Sequence, residues 1–161
     1  MTRIPLNEAE VDKIMKASKS IILDIHWEKN PNESWFKSEV EVKNKLKLNL
    51  KMHLNVNSKD YGLYSFTLIL NNAFRITGID VNGSHKNKHT DSNNWKGETH
   101  KHKWTDRCRD GWAYTPNDIQ ENSIESAFIS FCKECEIDYK GKFDTLPPRQ
   151  ISLSRLKNDM R

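Results

Sequence analysis

Histidine is the side chain able both to accept and to give up a proton near neutral pH. Four of the six histidines in this sequence, His85, His89, His100 and His102, fall within residues 83–118. The same stretch holds three of the five tryptophans and many Lys, Arg, Asn and Asp residues, with almost nothing aliphatic. A segment with so little to bury does not build core, and long polar connections inside a domain are where binding and catalytic groups collect. If residues 99–105 are extended, positions 100, 102 and 104 fall on one side of the backbone and 101 and 103 on the other. Two imidazoles and Trp104 then share a side, backed by Lys101 and Lys103.

Three chemistries could use this composition. In the first, RNA is cleaved with histidine as acid and base. His102 takes the proton from a 2′-OH and His85 or His100 protonates the leaving 5′ oxygen, while Lys101 and Arg107 stabilise the charge gathering on phosphorus. Trp95, Trp104 and Tyr114 would stack on bases, and Asn87 and Lys103 would contact the strand. This chemistry needs no metal or other cofactor. In the second, His85, His89, His100 and His102 hold zinc, with Cys108 or Asp106 nearby; the flanking lysines weigh against a dication there. In the third, the basic and aromatic surface binds nucleic acid or an acidic protein without chemistry.

The segments Asp80-Val81-Asn82-Gly83-Ser84-His85-Lys86-Asn87, His100-Lys101-His102 and Ala113-Tyr114 carry a resemblance. They resemble a group of small uncharacterised proteins of phages and mobile elements, in which Asp-x-Asn-Gly ends a strand and Gly-x-His-x-Asn, His-x-His and Ala-Tyr follow. The match covers under a third of the chain, and this sequence has a longer insertion between the histidine motifs, including His89 and Trp95. The resemblance implies no activity. It does favour His85, Asn87, His100, His102 and Tyr114 over His26, His53 and His89, the first two of which read as surface residues on strands.

Composition bounds the setting. The chain has 161 residues, 35% hydrophobic, and reads as one α+β domain over 1–141 followed by a basic, weakly structured arm over 142–161. The net charge of +4 is uneven: residues 84–112 hold seven Lys/Arg against four Asp/Glu, and residues 139–161 six against two. Such local excess points to an anionic partner, with RNA or another nucleic acid first and an acidic protein second. No apolar run is long enough to span a bilayer and the first residues lack a signal-peptide core, so no membrane partner and a cytoplasmic location are expected. Three cysteines fit free thiols in a reducing compartment, and the Cys132-x2-Cys135 pair falls on an apolar helical stripe, which favours a core role over half a zinc site.

The elements that must position the polar stretch can be read in order. Asn7 caps a helix with Glu10 three residues on, and Leu6 and Val11 form a staple, with the helix ending near Ser18. Ile21, Leu23, Ile25 and Trp27 alternate as a strand with one buried face. From Phe36 to Val56 nearly every even position is apolar, and a three-residue loop at 43–45 keeps that parity by pairing Val42 with Leu46 and Val40 with Leu48. Asn71-Asn72 is a tight hairpin turn between two strands apolar on both faces. Asp110-Gly111 is a turn. Asn122 caps a second helix whose stripe runs through Ile124, Ala127, Phe128, Phe131, Cys132 and Cys135, with Gly141 as its stop. The sum is an N-terminal helix, a curved antiparallel meander of about five strands able to close part-way to a barrel, a long His/Lys/Trp-rich loop, a C-terminal helix and the basic tail.

Overall fold

A computed structural model describes residues 6–81, 85–86, 94–95, 100–105, 109–114 and 123–148. In chain order the elements are α1 (Glu8–Lys16), β1 (Lys19–Ile21), β2 (Trp35–Asn44), β3 (Leu50–Asn57), β4 (Tyr64–Leu70) and β5 (Phe74–Val81). Then come β6 (His85–Lys86), β7 (Asn94–Trp95), β8 (His100–Thr105), β9 (Arg109–Tyr114), α2 (Ile124–Glu134) and β10 (Ile137–Tyr139). Eight strands form one sheet in the order β10-β1-β2-β3-β4-β5-β8-β9, while β6 and β7 pair separately. The class is α+β with a helix at each end and a curled, half-barrel sheet. No helix among the described residues is long and apolar enough to cross a membrane.

Parity organises the sheet. Val40, Val42, Leu50, Met52, Leu54, Val56, Tyr64, Phe66, Leu68 and Leu70 are buried, and the residues between them on β3 and β4 are only partly so. α2 covers this core face with Ala127, Phe128, Phe131 and Cys132. Phe66 meets Phe128 edge-on at 5.3 Å and stacks on Phe131 at 6.0 Å. Burying each such ring is worth roughly 1.5–3 kcal/mol by transfer, and the aromatic geometry adds to that. Cys132 and Cys135 are buried free thiols in the same core, and burial pushes the Cys132 thiol up to about 12. A thiol held so firmly protonated is a poor metal ligand.

Four local expectations change. β2 and β3 do hold one parity, but Val42 pairs with Leu50 and Val40 with Met52, so seven residues, 43–49, separate the paired positions rather than three. The cause is Asn44: its amide donates to the carbonyls of Val42 (3.2 Å) and Leu48 (2.9 Å), and its Oδ1 accepts from the Leu48 N–H (2.9 Å). Leu46 is left exposed at the tip. Asn71 and Asn72 both adopt positive φ and the Ala73 N–H closes on the Leu70 carbonyl, but Leu70 pairs with Phe74, so Ala73 joins the turn and the loop has three residues rather than the expected two, with a register shift between Leu68 and Ile69. α2 is capped by Ser123, whose Oγ accepts from the Ser126 N–H at 3.0 Å; it ends where Glu136 turns to positive φ, five residues before Gly141. Asp110-Gly111 lies within β9, opposite a register irregularity in β8, where a bulge replaces the expected turn.

The largest departure concerns residues 22–27 and the chain after α2. Only Lys19–Ile21 forms a strand, and Leu23, expected inside, is 53% exposed. β1 runs parallel to β10, and the following residues continue the contact: Lys140 N–H to Ile21 C=O, Ile25 N–H to Lys142 C=O and Asp144 N–H to Ile25 C=O. Phe143 and Leu146 pack on the core. The folded unit therefore runs through the described chain to Pro148, and the part of the expected arm over 142–148 is a strap across the sheet edge. Residues 149–161 lie outside the described residues. Gly141 lies directly against the Leu23 backbone; a Cβ there would sit 2.1 Å from the Leu23 carbonyl oxygen.

At the start of β1, Lys19 is 4% exposed. Its ammonium donates to the carbonyls of Met15 (2.9 Å), Ala17 (2.8 Å) and Cys135 (2.7 Å), joining the C-terminal ends of both helices. Desolvation lowers its pKa, opposed by Cys135 and Glu136. Lys19→Met leaves these carbonyls without their donor and is expected to lower stability by roughly 3 kcal/mol, read as a lower urea midpoint at unchanged slope. Gly141→Ala is expected to be at least as damaging, because backbone on both sides must move; a midpoint within error of the wild type would show that the strap is not held that tightly.

Candidate functional site

The core face is filled, so chemistry has to lie on the opposite, polar face of the sheet or at its edges. Following the pairings across that face gives one continuous row: Glu39 beside His53, His53 beside Thr67, Thr67 beside Gly78, Gly78 beside His102 and His102 beside Ala113. A neighbouring row runs Lys37, Asn55, Ser65, Asp80 and His100. The register thus places positions 100 and 102 on the polar face. Two short residues, Thr67 and Gly78, separate the positions of His53 and His102 by three strand spacings, about 14 Å. Arg75 lies over that interval: its Cδ is 3.5 Å from where a Gly78 Cβ would stand.

At the other end of the rows is a cleft of about 600 Å³. Its origin is the bowing of residues 22–27. β1 pairs with Lys43 and Asn44, and Glu28 bridges Lys37, but between these two attachments the chain follows the strap and leaves β2 uncovered. Asp24, His26, Glu28, Glu39 and His53 line the gap. Two imidazole–carboxylate pairs stand in it. His26 Nδ1 lies 2.6 Å from Asp144 Oδ2, and His53 Nε2 lies 3.4 Å from Glu39 Oε2. The second pair is an electrostatic contact without hydrogen-bond geometry, since His53 Nε2 has no hydrogen-bond partner. Glu39 is also held by Lys51 at 3.0 Å. The hydrogen bond to Asp144, and then its charge, raise the His26 pKa above the ordinary histidine value. That favours the imidazolium, an acid or an anion contact rather than a base.

The residues singled out from sequence fall into three groups. His100, Lys101, His102 and Lys103 lie on β8 beside Asp80, Ile79, Gly78 and Thr77, with Trp104 next in the strand and Tyr114 paired to Lys101. Residues 100–105 form β8, which pairs with β5 and β9. Lys101 and Lys103 take the parity of the core face, opposite to His100 and His102. His85 pairs with Trp95 in the separate β6–β7 hairpin, four residues after the end of β5. Asn87, His89 and Arg107 lie outside the described residues. Among the described residues no three His, Cys, Asp or Glu side chains are grouped as a metal site.

His26 and His53 were passed over in the sequence because each sits on the polar side of its segment. Their carboxylate partners are remote or cross-strand, Asp144 standing 118 positions from His26. The one sequence signal available for His53 was the shared polar parity of Glu39 and His53 on adjacent strands.

Residues 6–137 match the model of a family of unknown function, DUF6978. No curated protein and no solved structure matches the chain.

The His26–Asp144 pair carries a pH dependence. Because the folded pKa is raised, the pair's contribution is fully present below the ordinary value of about 6.5 and is lost as pH rises through the higher folded value. An NMR titration of the His26 ring should give a midpoint above about 6.5 that falls back toward it in Asp144→Asn. Identical midpoints in the two proteins would mean that the contact does not persist in solution.

Proposed function

The chain belongs to the DUF6978 family, a family of unknown function, and from that starting point we propose that it is directed at nucleic acid and cleaves RNA by metal-independent histidine acid–base chemistry. The observation that carries this reading is the polar-face row, in which His53 and the position of His102 flank the short residues Thr67 and Gly78 with Arg75 above them. A strand of RNA laid along this face would meet the His53 imidazole on one side and the position of His102 on the other, with a guanidinium between.

In the reaction, His102 takes the 2′-OH proton as the 2′ oxygen attacks phosphorus. The P–O5′ bond breaks, and an imidazolium, His100 or His85, donates its proton to the leaving oxygen. The products are a 2′,3′-cyclic phosphate and a 5′-OH, so no water, oxidant or metal is consumed. Arg75 supplies the cation nearest the row, and Arg107 is assigned the same role; Lys101, named with it from the sequence, has the parity of the opposite face and leaves this role. Trp95 and Trp104 offer stacking planes and Asn87 a further contact to the strand, while Tyr114 and Lys103 take the parity of the opposite face.

The test is a denaturing gel of end-labelled RNA with wild type and His102→Ala, each with and without EDTA. The expected result is cleavage that EDTA does not affect and that falls at least about 100-fold in the variant, while fold and RNA affinity are kept. Equal cleavage by both proteins removes His102 from the mechanism. RNA intact in every lane removes cleavage altogether and leaves a strand-binding protein.

A further inference from the structure

The sequence places its excess positive charge in the polar loop and the tail, but the fold assembles a third basic cluster that no segment shows alone. At the end of the sheet where β1, β2 and β10 meet is an open cleft of about 670 Å³ whose lining includes Ser18, Ser20, Lys43, Lys45 and Lys133. The three lysines come from the end of β2, the β2–β3 loop and the last turn of α2. They are brought together by pairing: Lys43 stands beside Ser20, and the Lys45 N–H reaches the Ser18 carbonyl. All three are exposed, and among the described residues none of their ammonium groups enters an ion pair. Of the two acids at the rim, Asp138 is paired with Lys140 at 3.7 Å, which leaves Glu136 against three lysines.

We infer that this cleft is a phosphate-binding subsite for a single nucleic-acid strand, continuous with the polar face. Two further observations support an anion here. Both helices end at the cleft, and their C-terminal carbonyls would repel one. The buried Lys19 ammonium takes up Met15, Ala17 and Cys135 C=O and cancels that negative end. The free lysines then act on a surface without opposing dipoles, and the serine hydroxyls beside them are common phosphate donors. The second observation is alignment. Lys37, Glu39, Glu41 and Lys43 share the polar parity of β2, so Lys43 lies four residues, about 13 Å, from the Glu39–His53 end of the row. That is the span of roughly four stacked nucleotides. Glu41 intervenes, with Lys51 opposite it in register.

The inference rests on the nucleic-acid reading but not on cleavage, and the experiment separates the two. Fluorescence anisotropy of a labelled single-stranded 2′-O-methyl oligoribonucleotide, which cannot be cleaved through its 2′ oxygen, is measured against salt for the full chain. It is compared with the Lys43→Gln/Lys45→Gln/Lys133→Gln variant, and with Lys59→Gln at the far end of the sheet as control. Loss of three phosphate contacts should weaken binding at least about tenfold and reduce the slope of log affinity against log salt by about 2. Lys59→Gln should match the wild type. Unchanged affinity and slope in the triple variant, no binding by the wild type, or displacement by polyglutamate as readily as by RNA would each overturn the assignment. Lysine-dependent binding without cleavage of ordinary RNA would overturn the catalytic reading alone.

Discussion

The buried ammonium of Lys19 is the interaction on which the rest of the architecture turns. One positive charge is withdrawn from water and its donors are given to the carbonyl ends of two helices and the turn that follows α2. A buried charge is tolerated only when its hydrogen-bonding capacity is met, and here three carbonyls meet it. Because the partners come from both ends of the chain, satisfying Lys19 fixes how α1 and α2 end relative to the first strand. The parallel pairing of β1 with β10 begins at that residue, the Lys19 N–H donating to Glu136 C=O. Each helix keeps its own cap and apolar stripe, but where they meet is set by this one side chain.

The two faces of the sheet divide the work. The core face is joined by rings: Phe66 to Phe128 and Phe131, Phe128 to Tyr139 and Phe143, and Phe143 to Trp27. This connected cluster ties β4, α2, β10 and the strap into one hydrophobic body. The opposite face is left to Glu39, His53, Thr67, Asp80 and Arg75, with the positions of His100 and His102 beyond. Such a surface gains little from burial and is free to be chosen for contacts with a ligand.

How far the sequence reveals this depends on the range of the interaction. The caps at Asn7 and near Ser123, the apolar parity of β2 through β4, the Asn71-Asn72 turn and the stripe of α2 are local, and each is legible within a few residues. The register of β2 on β3 was not, because a three- and a seven-residue loop preserve the same parity and only the side chain of Asn44 decides between them. Residues 22–27 alternate as a strand should, yet Leu23 faces solvent because the strap competes for their backbone groups. The extended form of residues 100–105 was legible in their alternation, and their pairing with β5 was not. What parity could not convey was that His53, on a distant strand, belongs to the same row. His26 needs Asp144, and nothing near either in sequence announces the other.

The strap has a consequence for how the molecule comes into being. β2 through β5 pair with immediate neighbours in sequence, and such contacts close quickly. The pairing of β1 with β10, and of Ile25 with Phe143, joins residues about 118 positions apart, with a far larger closure entropy to overcome. During synthesis the segment from Ile22 to Glu28 therefore waits, edge exposed, until residues 137–144 have left the ribosome. His26, on the wall of the cleft, gains its carboxylate partner Asp144 only then. Topology makes this part of the polar surface the last to mature, so a nascent chain carries a finished meander before it carries a finished site.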